Sequence, residues 1–435
     1  MNILLLKPYW PYPYNKGEYT YNRVWAPLCL ANCAAILEKH KIKVKILDCH
    51  ALRIMAKKVK DYLFGYDKVF ITSSSLDKWQ CPNLNLDTFL ETTRCISSII
   101  KECYIIGYHG TVEPERILDL TRAKAVIRGE PEFAVLEICQ NNDLSKIKGI
   151  SFKNNNRFIL NPDRALIDLK TLPIPAYHLL DTKKYFYEIL GKNFTLFEIS
   201  RGCNYQCKFC NKIMYGKGLR AKSAKQVIEE VKTAIEEYNV KTAYFIDLDF
   251  LTNRKIVNQL CEFLIKKKYN FKWCCQTRPD SLDIETLREM KDAGCGLIHL
   301  GVESGIQQSL DYLGKNITIE EIRESVKICK QVGIKTLAFF LFGLPGETDE
   351  DRKQTFEFIK ELNTEYISLH RISFYKGYKG IDILQKNIKY EAAINKFICQ
   401  SLLKYYLSPS YLYRIDISDV LGGLKLLWSR MGTLK

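Results

Sequence analysis

Three closely spaced cysteines carry the most specific chemistry in this sequence. Cys203, Cys207 and Cys210 lie in residues 201–210 with the spacing Cys-x3-Cys-x2-Cys. Three thiolates in one short loop can bind three irons of a [4Fe–4S] cluster, and no local ligand is evident for the fourth iron. An open metal position of this kind can chelate a substrate or cofactor. A structural zinc site is the alternative, but it usually needs a further Cys-x2-Cys pair or histidines, and none lies nearby.

The cysteine loop follows the first strand of a βα alternation that covers about 193–375. Repeated βα units of this number favour a partial (β/α)6 barrel, whose site lies at the carboxyl ends of the strands. The predicted strands are 195–200, 243–249, 271–277, 297–303, 336–342 and 366–374. The predicted helices lie near 222–238, 254–268, 283–292, 318–332 and 349–362.

An earlier βα alternation covers about 1–140. Strands that alternate with helices predict a doubly wound, Rossmann-like parallel sheet, which binds ligands beyond the carboxyl ends of its strands. A connector over 141–192 and a helical region over 376–435 complete an α/β chain of two main domains. The predicted strands of the first domain are 3–6, 44–48, 69–73, 104–106 and 125–128, and its clearest helices are 28–39 and 88–101.

The cysteine loop resembles that of the radical S-adenosylmethionine (SAM) superfamily, Cys-x3-Cys-x-aromatic-Cys, with Phe209 in the aromatic place. The resemblance implies that the three cysteines hold a [4Fe–4S] cluster and that SAM chelates its open iron. Reductive cleavage of SAM would then give a 5′-deoxyadenosyl radical that takes hydrogen from a substrate. The resemblance also implies SAM contacts at Phe209 and at later strand ends: Asp247, Asp249, Glu303, Ser304, Gly343 and Pro345.

Two features of the predicted barrel site have alternative interpretations. Residues 343–348 also read as a tight turn that ends in a helix cap at Thr348, and both descriptions can hold together. Arg278, which follows the third barrel strand, either faces the site or forms a surface salt bridge.

The first domain resembles the B12-binding domain of the cobalamin-dependent radical SAM class. The resemblance rests on Pro27–Ala31, 107–115, 128–132 and 172–176, and it covers, with the barrel, about 1–375. It implies that backbone and side chains at the strand ends hold cobalamin. A vestigial B12 fold without cobalamin is the alternative. The implied contacts are Ser73, Ser74, Ser75, Gly107, His109, Gly110, Gly129 and Glu130.

One departure from the B12-binding pattern concerns the cobalt ligand. Related domains place Asp-x-His-x-x-Gly after the first strand, whereas this chain has Lys7-Pro8-Tyr9-Trp10 there. His50 follows the second strand without the glycine, and we interpret it as a polar loop residue. Cobalt, if bound, is therefore expected to lack a protein imidazole.

Composition and charge narrow the function classes. The net charge of +16 comes largely from lysines spread along helices, as at 266–268, so we do not favour a nucleic-acid partner. No apolar run reaches the ~18 residues of a membrane span, and no signal-peptide pattern precedes the first strand. We therefore expect a cytoplasmic protein with reduced thiols. Cys29, Cys33, Cys139 and Cys329 fall on apolar helix faces and are predicted to be small core residues.

These features predict an anaerobic enzyme that methylates or oxidatively cyclises an unactivated carbon of a small metabolite or lipid. It would require an external one-electron donor of the ferredoxin or flavodoxin type. Residues 405–411 resemble the tail of the oxidative-cyclase-like branch, and 415–434 carry an apolar helical face. That face predicts either a docked helix or an interfacial one with peripheral membrane contact. An RNA- or protein-modifying enzyme that docks through its basic surface is the alternative.

Overall fold

Two parallel sheets, one in each half of the chain, organise the fold. The computed structural model describes residues 1–10, 23–141, 143–373, 388–412 and 421. The predicted apolar face over 415–434 lies outside these residues except for Leu421, which is exposed. No helix in the described part of the chain is long and apolar enough to cross a membrane.

The first sheet has the strand order β2-β1-β3-β4-β5-β6-β7. Its first five strands pair in parallel, and β6 and β7 add an antiparallel hairpin at one edge. The order reverses between β1 and β3, and such a switch point is where doubly wound sheets bind ligands. The predicted doubly wound sheet is therefore confirmed. Its strands are β1 (Asn2–Lys7), β2 (Lys43–Asp48), β3 (Lys68–Thr72), β4 (Cys103–Ile106), β5 (Ala125–Ile127), β6 (Ile150–Asn154) and β7 (Arg157–Leu160).

Part of the predicted connector over 141–192 belongs to the first sheet. Residues 150–160 form the hairpin of β6 and β7, and β6 pairs with β5. The turn is formed by Asn155 and Asn156, both with positive φ, a conformation that asparagine tolerates. The hairpin covers an edge of the sheet that would otherwise present unpaired backbone groups.

Helices cover both faces of the first sheet. The most buried is α1, in which all residues from Leu28 to Leu37 are shielded because it lies between the first sheet and the barrel. Cys29 and Cys33 pack there as predicted. The helices of this domain are α1 (Leu28–Lys39), α2 (Cys49–Leu52), α3 (Asp87–Ile99), α4 (Tyr108–Val112), α5 (Pro114–Thr121) and α6 (Glu132–Gln140).

The second sheet has the strand order β10-β13-β14-β15-β16-β17, all parallel and sequential. Its first and last strands do not pair with each other, so it is an open, partial barrel of six strands, as expected. Two short antiparallel pairs, β8–β9 and β11–β12, flank β10. These strands are β8 (Phe186–Tyr187), β9 (Gly191–Lys192), β10 (Phe194–Phe197), β11 (Ser200–Cys203), β12 (Gly218–Ala221), β13 (Thr242–Phe245), β14 (Lys272–Thr277), β15 (Cys295–Glu303), β16 (Lys335–Phe342) and β17 (Tyr366–Arg371).

Helices alternate with the barrel strands, and their amphipathic faces pack on the sheet. Thr318 and Thr348 begin two of them with capping boxes, in which threonine and an acidic residue satisfy each other's backbone amides. The helices are α7 (Ala224–Glu236), α8 (Arg254–Lys267), α9 (Ile284–Asp292), α10 (Gln307–Tyr312), α11 (Ile319–Val332), α12 (Asp349–Leu362), α13 (Ile388–Tyr406) and α14 (Pro409–Leu412).

The described part of the C-terminal region docks on the last barrel strand. The Tyr406 hydroxyl donates to the Ile367 carbonyl at 3.0 Å and accepts from the Ile367 amide at 2.9 Å. Tyr411 donates to the Glu365 carbonyl at 2.8 Å. Residues 388–412 therefore belong to the folded body of the barrel.

Candidate functional site

A β-hairpin presents the cysteine loop at the mouth of the barrel. The predicted strand 195–200 is interrupted, because β10 ends at Phe197 and the chain then forms β11, which pairs antiparallel with β12. Gly202 has φ +92°, and a Cβ there would lie 2.0 Å from the Gly218 carbonyl oxygen. Only glycine allows this approach, so Gly202 fixes the position of the adjacent Cys203.

Asp247 anchors the start of this hairpin. Its carboxylate accepts hydrogen bonds from the Ile199 amide at 3.2 Å and from the Ser200 amide at 2.7 Å. Burial raises the pKa of Asp247 to about 7. Asp247, predicted as a SAM contact, is thus directed at the backbone of the loop, whereas the following Leu248 and Asp249 reach the cavity described next.

The three cysteines line one cavity that opens to solvent. Five of the six barrel strands, β13 to β17, contribute to it. The first domain adds Arg23, Trp25, Leu76, Lys78, Gln80 and Cys81. Lumen-facing residues alternate along each strand, as the pleat requires. The predicted residues that line the cavity are Cys203, Cys207, Phe209, Cys210, Asp249 and Glu303.

The thiols of the loop are close enough to repel one another when ionised. Burial, followed by the charges of Cys207 and Cys203, raises the pKa of the Cys210 thiol to about 12. Burial also raises the pKa of Cys203. A bound metal reverses this balance, because coordination deprotonates a thiol outright. The donor set therefore suits a cationic iron cluster.

Arg278 lies beside the cysteine loop. Within the described ranges, no group of three His, Cys, Asp or Glu side chains converges on one metal position. Arg278 adds a donor, with Nη1 3.6 Å from the Cys207 sulfur, and its guanidinium lies 3.8 Å from the centre of the Tyr205 ring. Arg278 therefore faces the site, and it also pairs with Asp280 at 2.9 Å.

Phe209 is held by a small apolar cluster of Leu313, Leu344 and Ile372. Leu344 lies between the predicted SAM contacts Gly343 and Pro345, which do not line the cavity themselves. The Gly343 amide donates to the Glu347 carboxylate at 2.7 Å. The segment is thus a tight turn followed by a cap, and it also supports the aromatic residue of the cysteine loop.

Glu303 combines a strained backbone with a position in the cavity. It has φ +74° at an irregularity in the pairing of β15 with β16, and such conformations in non-glycine residues cluster at functional sites. Its carboxylate accepts from Lys315 at 3.1 Å. The neighbouring Ser304 is buried away from the cavity, where it accepts from the Ile306 amide at 3.1 Å. Asp249 accepts from the Thr277 hydroxyl at 2.6 Å.

The residues predicted to contact cobalamin are mostly brought together at the ends of β3 and β4. A Cβ on Gly107, where φ is +100°, would lie 2.9 Å from the hydroxyls of both Ser73 and Ser74. The amide of His109 donates to the Ser73 hydroxyl at 3.3 Å. Burial lowers the pKa of His109 to about 4, and its Nδ1 is buried without a partner among the described residues. Ser75 is buried in the same loop.

Three further predicted contacts have different surroundings. A Cβ on Gly110 would lie 3.3 Å from Val126, so this glycine serves helix–sheet packing. Gly129 has φ +75° and open space where a Cβ would be. Glu130 faces the barrel and pairs with Arg201 at 3.1 Å and Arg220 at 2.9 Å.

His50 is not the polar loop residue that we expected. It is only 2% exposed and lies in α2, where its Nδ1 accepts from the Trp10 amide at 3.3 Å. Asp48 caps this helix by accepting from the His50 and Ala51 amides, and the cap turns the imidazole inward.

A buried ionic network that the sequence analysis missed connects the two domains. Arg201, 1% exposed, pairs with Glu198 at 2.6 Å and with Glu132 and Glu130 of the first domain at 2.6 and 3.1 Å. Its guanidinium also lies 5.1 Å from the centre of the Trp79 ring. Because Arg201 lies two residues before Cys203, the first domain directly positions the cysteine loop. The two glutamates of the segment 128–132, Glu130 and Glu132, were the available signal, but the sequence does not identify Arg201 as their partner.

The comparisons with known proteins agree with this geometry. Residues 197–359 match the family model described as the radical SAM superfamily. An uncharacterized methyltransferase of Pyrococcus horikoshii is 27% identical over 421 residues, which cover 89% of this chain and 89% of that protein. The anaerobic magnesium-protoporphyrin IX monomethyl ester cyclase of Rubrivivax gelatinosus is 26% identical over 270 residues, 60% of this chain and 49% of the cyclase.

Solved structures share the fold at low identity. The radical SAM methyltransferase TsrM from Kitasatospora setae, bound to tryptophan substrate and aza-SAM, has a TM-score of 0.68 at 18% identity, covering 85% of this chain and 72% of TsrM. The cobalamin-dependent SAM radical enzyme OxsB, bound to aqua-cobalamin and SAM, has a TM-score of 0.67 at 18% identity, covering 92% of this chain and 56% of OxsB. The chain thus spans about half the length of OxsB and of the cyclase.

Proposed function

Residues 197–359 of this chain form a radical SAM domain, and we propose that the chain is a B12-binding-type radical SAM enzyme. It would methylate or oxidatively cyclise an unactivated carbon of a small metabolite or lipid. The observation that carries the proposal is the shared cavity, in which the cysteine loop faces residues from both domains. The [4Fe–4S] cluster and SAM would supply a 5′-deoxyadenosyl radical through one-electron reductive cleavage.

The residues of the chain would position these cofactors. Cys203, Cys207 and Cys210 would hold the cluster, and Gly202 and Asp247 would fix the hairpin that carries them. Asp249 and Glu303 supply buried carboxylates within the same cavity, where they would accept hydrogen bonds from the amino and ribose hydroxyl groups of SAM. The apolar packing around Phe209 would exclude water from the reacting centre.

Cobalamin would bind between the two domains. Gly107 lets the backbone pack closely against the hydroxyls of Ser73 and Ser74, and the His109 Nδ1, without a partner among the described residues, offers a hydrogen-bonding group. These features fit a polar cofactor at the carboxyl ends of β3 and β4. Cobalamin would supply a methyl group in the methylating reaction. The relatives named as methyltransferases and the fold of OxsB support this assignment.

The proposed cluster chemistry also indicates which electron donor and which cellular compartment the enzyme would need. An external one-electron donor of the ferredoxin or flavodoxin type would reduce the cluster, and the sensitivity of such clusters would favour anaerobic conditions. We propose a cytoplasmic location, in keeping with the sixteen unpaired cysteines. No observation on the described surface favours the RNA- or protein-modifying alternative.

The test is anaerobic purification and reconstitution with iron, sulfide and hydroxocobalamin, followed by incubation with SAM and dithionite. Iron near four per chain, bound corrinoid and 5′-deoxyadenosine in excess of a cluster-free control are expected. Iron and 5′-deoxyadenosine without corrinoid would leave the radical SAM assignment and reject the B12-binding one. Absence of 5′-deoxyadenosine would reject both.

A further inference from the structure

One end of the shared cavity holds a lysine without an acidic partner. Lys78, from the loop after β3, reaches into the barrel and donates to the Tyr244 hydroxyl and to Gln276 Oε1, both at 2.7 Å. Its ammonium lies 4.8 Å from the centre of the Tyr244 ring. An ammonium has three donors, so one N–H is left over. No carboxylate among the described residues pairs with Lys78.

The other cation nearby is already neutralised. Arg23 pairs with Glu188 at 2.9 Å, and its guanidinium lies 4.9 Å from the centre of the Tyr187 ring. The charges of Arg23 and Glu188 cancel, so among the described residues Lys78 gives this end of the cavity one uncompensated positive charge. A buried charge is costly unless it is paired, which makes an anionic ligand the natural partner.

Two further polar groups at the same end lack partners. Trp25 Nε1 and His299 Nδ1 are buried, and each has no hydrogen-bond partner among the described residues. Both side chains are 3% exposed and line the cavity. Their rings lie 5.4 and 4.7 Å from the Tyr244 ring, the same ring that Lys78 covers. Lys78, Trp25 and His299 therefore lie around one ring, and each has an N–H or ring nitrogen left without a partner among the described residues.

Both Trp25 Nε1 and His299 Nδ1 carry a proton and can donate a hydrogen bond to a ligand. The indole nitrogen of Trp25 can only donate. The Tyr187 hydroxyl accepts from Arg23 and lies 3.1 Å from His299 Nε2, so its own proton is directed to that nitrogen. The ring proton of the neutral His299 is then on Nδ1, because burial lowers the pKa of His299 well below its usual value.

We propose that Lys78, Trp25 and His299 bind a carboxylate of the substrate, whose attached body is aromatic or apolar. One positive charge matches a monoanion, whereas a phosphate dianion would leave a net negative charge in the cavity. The body would pack on Phe339, Leu337 and the Tyr244 ring, which line the same space. The inference rests on the proposed function, because it takes this cavity as the substrate site.

A matched pair of probes tests the charge requirement. 1-Naphthylacetate and 1-naphthylacetamide have the same shape and differ by one negative charge. We expect the anaerobically reconstituted chain to bind the acid about tenfold or more tightly than the amide in equilibrium dialysis, since hydrogen bonds to an ion are about twice as strong as neutral ones. Lys78→Met should bring the affinities for acid and amide to within about twofold of each other, because it removes the charge that distinguishes them. Lys57→Met, which removes an exposed charge of the same domain, should keep the preference.

The pH dependence supplies a second readout. Burial lowers the pKa of Lys78 to about 8. The acid preference of the wild type should therefore fall as pH rises from about 6.5 to about 9.5, a range in which the probe stays ionised. The other groups that face Lys78 keep their charge over this range. The pKa of His299 is lowered, and the pKa values of Cys81, Cys274 and Tyr244 are raised, so all four stay neutral. Arg23 stays protonated, because the pKa of arginine lies well above this range.

Equal affinity for acid and amide, no measurable acid binding at millimolar concentration, or an unchanged preference in Lys78→Met would overturn the proposal. Loss of bound corrinoid in Lys78→Met would also overturn it, since Lys78 would then hold the cofactor. The outcome is separable from the proposed function, because dithionite-driven 5′-deoxyadenosine formation is measured on the same samples. An acid preference without that product would reject the radical SAM chemistry and retain the anion site.

Discussion

The interdomain network predicts unequal effects of two substitutions that remove one charge each. Arg201→Met would leave the buried Glu130, Glu132 and Glu198 with one remaining ion pair among the described residues, that of Glu130 with Arg220. Glu132→Gln keeps the shape of the side chain and a hydrogen bond to Arg201. Burial raises the pKa of Glu132 more than Arg201 lowers it. Of the three carboxylates, Glu132 is therefore the one whose charge contributes least to the stability of the network.

Removal of one partner from a buried ion pair costs about 3–5 kcal/mol, and we expect a loss of this size for Arg201→Met. Glu132→Gln should cost under about 1 kcal/mol, close to the net value of one hydrogen bond. Urea unfolding of the iron-free chain measures both, and Arg157→Met, at an exposed arginine of the β6–β7 hairpin, is the control. Equal losses in the two variants, or less than about 1 kcal/mol for Arg201→Met, would refute the reasoning.

Three more predictions concern the cofactor sites. Gly202→Ala should sharply lower the iron content per chain, because the added Cβ would clash with the Gly218 carbonyl oxygen. The control Gly218→Ala also has positive φ, but no atom lies near its added Cβ, so this variant should bind nearly normal iron. Equal iron contents in the two variants would contradict this prediction. Arg278→Met removes a donor and a positive charge beside Cys207, so an EPR-monitored titration should give a midpoint potential lower by on the order of tens of mV, and an unchanged potential would count against the contact. His50→Ala should leave the absorbance spectrum of bound hydroxocobalamin unchanged, since this imidazole is committed to Trp10, and a spectral shift would show that it ligates cobalt.

The sequence predicts well what depends on local periodicity. The alternation of apolar strands with amphipathic helices gave both sheets, and α1 and α12 begin and end where the pattern indicates. The cysteine loop could be located because its spacing is local. Asp247 and Asp249 show the limit of such reasoning: two residues apart, they would share one face of a strand, but β13 ends at Phe245 and alternation no longer determines where they point.

Contacts between the two domains could not be predicted. The partners of Arg201 lie 69 and 71 residues away in Glu132 and Glu130, and nothing in the local sequence distinguishes this arginine from exposed ones. Lys78 reaches Tyr244 across 166 residues. His50 was misread because a single capping residue, Asp48, decides whether the segment is a loop or a buried turn of helix.

The cluster assignment is tested most directly by single cysteine substitutions in the loop. Cys207→Ala, measured anaerobically with SAM and dithionite, should lose the ~400 nm absorbance of the cluster and form no 5′-deoxyadenosine above background. Cys95→Ala, at a partly exposed cysteine of α3 outside the loop, should retain both. If Cys207→Ala forms 5′-deoxyadenosine at the wild-type rate, the three cysteines do not hold the catalytic cluster and the account of this site is wrong.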